Sequence, residues 1–394
     1  MKSSSVHNPK PQSALPSAPW RRSAWVEIDR ARLRKNFEII NAQKPPALRL
    51  LAVVKDNAYG HGAGEVAQAA LAAGAWGLGV TTLDEAVELR TLGIPAPILL
   101  LGERTPDELP VCLDLRLTLS VGEMRVLQSL ARLARHQGQE VSVHLKVDTG
   151  MSRYGVRWEE AVEAVQTALA IPGIKLEGIM SHFAMSDEAD KTFALQQLAR
   201  FEDVLSQLAA AGVRVPVRHF CNPGGFLDLP QAWFDMVRIG ILPLGVYPSQ
   251  VCRRLPGLEP VMSVKARIVS VRDLQPGDHY GYGMRYQAKT LRRIAVVPVG
   301  YGDGFPRLRN EGCVLVHGRR APIIGGVAMD ALAVDVTEIP ETQLFDDVVL
   351  MGQDGAEEIT ANEIAGWKKS VCYDVLSGWR SRLPRVYVEG ATLS

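Results

Sequence analysis

Between residues 50 and 241 short apolar runs alternate with segments of helical periodicity, and this alternation limits the possible folds more than any other feature of the chain. The runs are Leu50 to Lys55, Trp76 to Val80, Ile98 to Leu101, Leu117 to Ser120, Val141 to Asp148, Leu176 to Phe183, Val217 to Asn222 and Met236 to Ile241. Between them lie Gly64 to Ala73, Leu83 to Leu92, Glu123 to His136, Glu159 to Ala170 and Thr192 to Ala211, where apolar residues recur every three to four positions. Gly74, Gly93, Gly138 and Gly212 follow four of these segments, where a left-handed C-cap costs little. Strands apolar on both faces and joined by helices form a parallel sheet, and eight such units close as a (β/α)8 TIM barrel. An open doubly wound sheet is the alternative that the same periodicity allows.

Beyond residue 257 the texture changes. Val261 to Val271, Ile294 to Val299, Gly312 to His317, Ala331 to Val336 and Asp347 to Met351 are short β-branched runs separated by turns such as "QPGD", "GYGDG" and "HGRR". A mostly antiparallel C-terminal β domain is expected, with a late helix over Thr360 to Lys369. Residues 1 to 23 carry Ser3, Ser4, Ser5 and four prolines with no acidic residue, the composition of a disordered tail. The expected organisation is therefore a tail over 1–23, a barrel over 24–256 and a β domain over 257–394.

A formal charge of +1, from 44 basic and 43 acidic residues with the signs interspersed, argues against a nucleic-acid or membrane-surface face and favours a small partner. The five cysteines are widely spaced without a C-x-x-C pair, so they read as cytosolic thiols, and neither a disulfide framework nor a metal site is indicated. Arg21 and Arg22 are followed by "SAWVEID" where an export signal would need an apolar stretch. No later uncharged run reaches the roughly 18 residues of a membrane span, and a cytoplasmic location is expected.

In a barrel, residues at the C-terminal ends of the strands meet at the catalytic face. On this register Lys55 ends the first strand, His182 the sixth and Asn222 the seventh, and Arg238 lies on the eighth just before Gly240 and Ile241. A lysine at the mouth of an apolar barrel is desolvated and loses its proton more easily, the condition for Schiff-base chemistry with an aldehyde. Tyr59 sits four residues on, and Gly240 lies after strand eight, where barrels commonly bind phosphate through backbone N–H groups. A phosphate beside a Schiff-base lysine points to pyridoxal phosphate. Taken singly, Lys55 is a solvated strand cap, His182 a structural histidine, Arg153 a surface ion-pair member and "GYGDG" a β-turn; the ordered set changes those readings.

The run "AVVKDNAYGHG" resembles the lysine signature of the alanine racemase family, and the similarity continues through "HLKVDTGMSRYGV", "EGIMSHFA", "FDMVRIGI", "YGYGMRY", "VPVGYGDG", "GGVAMD" and "LPRVY". These motifs span residues 25 to 387 in the family's order. The resemblance implies that Lys55 carries pyridoxal 5'-phosphate and is the acid/base on one face of the substrate Cα. It implies that Tyr282 is the base on the other face, supplied by the partner subunit of a head-to-tail homodimer. His182 and Arg238 would link the tyrosine to the cofactor, with Arg238 facing the pyridine nitrogen. Tyr59, Tyr373, Asn222 and the backbone of Gly240 and Ile241 would hold the cofactor. Arg153 and Met329 would position the substrate carboxylate, Tyr301 and Tyr373 would narrow the entrance, and Lys146 matches a lysine often carbamylated in the family. The family's role is supply of D-alanine for a bacterial cell wall.

Racemisation removes a proton from one face and delivers one to the other, so two acid/base groups must flank a planar carbanion. Tyrosine, with an ordinary pKa of about 10, is a poor base at neutral pH unless neighbours such as His182 and Arg238 stabilise its phenolate as cations. An arginine at the pyridine nitrogen cannot readily protonate it, so the cofactor is a weaker electron sink and transamination is disfavoured.

Two positions depart from the family pattern. Asp56 places a carboxylate where a small residue normally follows the lysine; alternation along a strand would turn it away from the site. Pro223, in "CNPGG", replaces a phosphate-binding serine and removes both a hydroxyl and an N–H, which the N–H groups of Gly224 and Gly225 would have to make good. The competing functions are a racemase of serine, lysine or a broader set, a related decarboxylase of basic amino acids, and a non-catalytic pyridoxal-phosphate carrier. The decarboxylase lacks support because its His-x-Gly-Ser signature is missing, and the carrier would have no use for Tyr282.

Overall fold

The computed structural model describes residues 22–390. Eight parallel strands form a near-closed barrel: Arg49–Val53, Gly77–Val80, Ile98–Leu100, Thr118–Val121, Val141–Asp148, Ile174–Met180, Val217–His219 and Met236–Ile239. The eighth pairs with the first, from Met236 opposite Arg49 to Ile239 opposite Ala52. Where the seventh and eighth strands meet, closure rests on single bonds, Asp235 N–H to the Arg218 carbonyl (3.0 Å) and Arg238 N–H to the Cys221 carbonyl (3.0 Å).

Each expected strand falls within three residues of the observed one at either end, and the helices Ala63–Ala72, Leu83–Thr91, Met124–His136, Ala161–Ala170 and Thr192–Ala210 lie between them. The apolar runs predict this because a strand covered by helices outside and by the barrel interior inside buries both of its faces. Leu51, Leu99, Met180, Val217 and Met236 fill the interior, so the barrel is a packed core with its open end at the strand C-termini.

The second sheet is mostly antiparallel, in the order Ser270–Leu274, Arg292–Val297, Leu332–Asp335, Arg319–Ile324, Cys313–Val316, Asp347–Asp354, Met262–Arg267, Ala24–Asp29 and Arg385–Val388. The expected late helix is Ala361–Lys368, N-capped by the Thr360 hydroxyl. Ala24–Asp29 differs from its expected place in the barrel segment. It pairs antiparallel with Met262–Arg267 and parallel with Arg385–Val388, because Ala24, Val26 and Ile28 form one apolar face that the β domain buries. The chain thus crosses from the second sheet into the barrel and back. The tail expected over residues 1–23 lies outside the described residues except for Arg22 and Ser23, and Arg22 bonds to Asp303. Among the described residues no helix is long and apolar enough to cross a membrane.

Candidate active site

Lys55 stands two residues beyond the first strand and opens an unusual turn. Asp56, Asn57, Ala58 and Tyr59 all take left-handed backbone angles, with φ of 53°, 52°, 52° and 52°. For non-glycine residues such a conformation costs about 1–2 kcal/mol each, so surrounding bonds must hold it. The Glu85 carboxylate accepts the N–H of Asp56 (2.6 Å) and those of Thr81 (2.8 Å) and Thr82 (3.0 Å). The Asn57 side chain accepts the Ala63 N–H (2.8 Å), and Gly62 N–H reaches the Asn57 carbonyl (2.9 Å).

The turn folds Tyr59 back onto the end of strand eight. A Cβ at Gly240 would lie 2.4 Å from the Tyr59 hydroxyl, so only glycine lets that hydroxyl sit against the backbone there. Tyr373, on the helix Cys372–Gly378, brings its ring to 5.9 Å from that of Tyr59. Two phenols and a bare backbone segment thus converge on one spot.

Lys55, Tyr59, Lys146, Arg153, His182, Asn222, Arg238, Gly240 and Tyr373 line one cavity of about 330 Å³ at the strand C-termini. Nine of the residues expected in the site are therefore brought together. Ile241 is adjacent but wholly buried behind the wall. Tyr282, Tyr301 and Met329 are not among the lining residues; they lie on the β domain, with Tyr282 85% and Met329 52% exposed.

Arg238 is 3% exposed, and its guanidinium bonds to no carboxylate among the described residues. It donates to the carbonyls of Ser181 (2.8 Å) and Phe220 (3.0 Å) and to Nδ1 of both His182 (2.9 Å) and His219 (2.9 Å). Arginine can only donate, so both histidines accept at Nδ1 and carry their proton on Nε2. The chain continues inward: His219 Nε2–H faces Nδ1 of His144 (2.8 Å), also fully buried. Burial, with Arg238 next, holds His182 well below the usual histidine range, which together with the Arg238 bond to Nδ1 favours the neutral ring with its N–H at Nε2, where the sequence reading expects a cation. Burial also brings Arg238 down to about 10.

Burial is the main force lowering the proton affinity of Lys55, and the positive charge of Arg153 adds to it. Lys146, almost fully buried, is held well below the usual lysine range by burial and then by Arg238 and Arg153. Asp56 does turn away, into a separate cleft with Ser377, Trp379 and Ser381, but the left-handed turn directs it there and not strand alternation. Asn222 is the N-cap of Pro223–Asp228, where its side-chain oxygen accepts from Gly225 N–H (3.0 Å) and the Ser186 hydroxyl (2.6 Å). Gly225 is thereby committed, and of the glycine pair only Gly224 can offer its N–H in place of what Pro223 lacks.

Residue reasoning alone overlooks Glu85, His219 and His144. His219 carries a usable signal, since it ends strand seven three residues before Asn222; Glu85 and His144 carry none without the fold.

A (β/α)8 barrel with a lysine at its mouth accommodates many chemistries, and the comparisons decide among them. Residues 28–248 match the family model "Alanine racemase, N-terminal domain" and residues 261–387 match "Alanine racemase, C-terminal domain". The chain belongs to the alanine racemase family. An alanine racemase of Halothermothrix orenii is 40% identical over 367 residues, covering 93% of this chain and 97% of that protein. The alanine racemase of Bacillus anthracis, solved with L-Ala-P bound, superposes with a TM-score of 0.88 at 35% identity over 95% of this chain and 97% of that one. A histidine racemase of Leuconostoc mesenteroides superposes with a TM-score of 0.85 at 30% identity, covering 94% and 99%. The activity is that of an alanine racemase, an isomerase acting on an amino acid in a family that depends on pyridoxal phosphate.

Proposed function

We propose that this cavity interconverts L- and D-alanine by two-sided proton exchange, with Lys55 on one face of the substrate Cα and the partner subunit's Tyr282 on the other. The observation that supports it most directly is the pairing, in one cavity, of a desolvated lysine with an arginine braced by neutral histidines. The cavity fits pyridoxal phosphate: Gly240 and the Tyr59 hydroxyl form a cradle that a Cβ would fill, Tyr373 adds a second phenol, and Lys55 supplies the amine for the aldehyde carbon. Tyr59, Tyr373, Gly240 and Ile241 would hold the phosphate and Arg238 the ring nitrogen; when bound, the group acts as an electron sink that acidifies the substrate Cα–H.

Lys55 takes or returns the Cα proton from its side because burial keeps its amine available as a base. Tyr282 acts from the opposite side, and His182 Nε2–H is the group within the site that stabilises its phenolate, since Nδ1 is already bonded to Arg238. Arg153 pairs with the substrate carboxylate and Met329 helps to place it. Burial, with the nearby charges of Arg238 and Arg153, favours the uncharged amine of Lys146, the form that takes up carbon dioxide as a carbamate, and that anion would brace Arg153. Tyr301 and Tyr373 limit the side chain admitted.

Proton NMR in heavy water with added pyridoxal phosphate, followed by chiral analysis, tests this reading. Loss of the alanine α-proton together with appearance of the other enantiomer is expected. Exchange without inversion would defeat the two-base scheme. The histidine racemase of the same fold supports one second reading, a racemase preferring another amino acid, which faster exchange and inversion of a larger amino acid in the same assay would establish.

A further inference from the structure

The face of the β domain that carries Tyr301 and Met329 is a single backbone unit. Tyr301 N–H donates to the Ala328 carbonyl (3.0 Å) and Gly302 N–H to the Met329 carbonyl (2.8 Å). Gly300 packs so closely that a Cβ would lie 2.2 Å from the Ala328 carbonyl oxygen. Neither Tyr301 nor Met329 can therefore shift without the other.

This unit closes on Asp303, whose side chain is fully buried. Its carboxylate accepts the Gly300 N–H (3.0 Å), which caps the loop, and both terminal nitrogens of Arg22, with Nη2 at 2.8 Å. Arg22 also donates to the Pro298 carbonyl (2.7 Å) at the loop's start. Arg382 stands further off, its Nε 3.5 Å from Asp303, and bonds to Asp330 beside Met329. Burial opposes ionisation of Asp303, yet the bonds from Arg22 and Gly300 prevail and keep its carboxyl below the ordinary range. Arg22 is well placed for this because it stands two residues before the start of Ala24–Asp29, which the sheet fixes on both edges.

We propose that Arg22, acting through Asp303, is a positioning residue that fixes Tyr301 and Met329 toward the partner subunit's cavity, so that it controls substrate binding in trans. The inference rests on the two-subunit site proposed above. The physical reason is that a buried carboxylate with one bidentate donor has a single orientation. Without the guanidinium, Asp303 must rotate or admit water, the Gly300 cap opens, and the Tyr301–Met329 unit loses its register. Lysine, a point charge, restores neutrality but not the two-pronged geometry.

Arg22→Ala should raise KM for alanine about tenfold while kcat stays within about threefold, with Arg22→Lys in between. The deciding test uses hybrid dimers of a Lys55→Ala chain and a Tyr282→Phe chain, carried on different tags, because in each hybrid one site combines Lys55 of one chain with Tyr282 of the other. Arg22→Ala placed in the Lys55→Ala chain, which supplies the β domain to the working site, should raise KM. The same substitution in the Tyr282→Phe chain should leave KM unchanged, although any general cost to folding is identical. An equal rise from both placements, or no rise from either, overturns the proposal while leaving the shared site standing. Confirmed hybrids with no activity overturn the shared site, and action in trans falls with it. If Arg22→Ala chains do not fold, Arg22→Gln in the two placements carries the same comparison.

Discussion

In the barrel Arg238 is 3% exposed and bonds to two carbonyls and two imidazoles; in the β domain Tyr282 is 85% exposed on a short turn between Tyr280 and Tyr286. Both are assigned to the same reaction. The barrel half of the site is built within one chain, from strand ends whose side chains the core already orients. The β-domain half is displayed on a surface, and under the proposed shared site it acts only against a second copy of the chain. Substitutions in the first should therefore mix structural and chemical losses, and those in the second should separate them.

The largest effects test that difference directly. Lys55→Ala and Tyr282→Phe should each lower alanine racemisation by about 10²–10⁴-fold or more, read by chiral chromatography. Mixed after subunit exchange, the two inactive chains should recover up to about a quarter of wild-type activity, since half of the random dimers are hybrids with one complete site. Recovery absent from verified hybrids would place both halves in one chain and erase the contrast.

Stability gives the next measure. Arg238→Gln strands several buried acceptors and should cost about 3 kcal/mol in urea unfolding, besides abolishing activity. Tyr282→Phe should change the unfolding free energy by less than about 0.5 kcal/mol. A stable, inactive Arg238→Gln protein would show that the histidine network is not structural in the way the hydrogen bonds indicate.

Much of the fold is legible in the sequence. The barrel strands could be read because each is apolar on both faces and separated by a helical period, and His182, Asn222 and Arg238 follow from strand-end placement. The strand Ala24–Asp29 is not legible, because its partner Met262–Arg267 lies on the far side of the whole barrel in sequence. Arg319–Ile324 was hidden by its two arginines and Pro322, which suggest a turn. The left-handed turn after Lys55 has no local signature, since its four residues are not glycine and the bonds holding it come largely from Glu85 and Asn57. Arg22 looked like part of a featureless tail because nothing nearby in sequence hints at Asp303.

Acid should distinguish the two regions as well. His61 and His144 are pushed down by burial to about 4 and about 3, and His182 and His219 lie well below the ordinary value. All four belong to the barrel. A folded-state value below the unfolded one, about 6.5, means that the unfolded chain binds more protons below that pH, so stability is complete above it and falls as pH drops. Each histidine contributes a slope of about 1.4 kcal/mol per pH unit once the unfolded form is protonated. In the β domain the matching group is Asp303, whose carboxyl is held below 3.8, so its contribution is lost only in more acidic solution. Hydrogen exchange between pH 7 and 5 should show the barrel loosening first, and His144→Gln should flatten the slope by about 1.4 kcal/mol per pH unit. Simultaneous loosening of both domains would mean that the interface between them, and not the histidines, governs acid unfolding.

The smallest effect expected is at Asp56, which stands next to the reactive lysine yet outside its cavity. Its carboxylate opens toward Ser377 and Ser381, and among the influences on Lys55 it ranks after burial, Arg153 and Glu85. Asp56→Asn keeps the size and the tolerance for left-handed angles while removing the charge, so it isolates the electrostatic contribution. Pyridoxal-phosphate affinity and racemisation should both stay within about twofold of wild type, because a charge that water can reach is heavily screened. A tenfold change in either would mean that the turn swings Asp56 toward the lysine when the cofactor binds. In that case the four left-handed residues would be a moving part of the barrel site, and the claim that its geometry is set in advance by the core would fail at the residue closest to the chemistry.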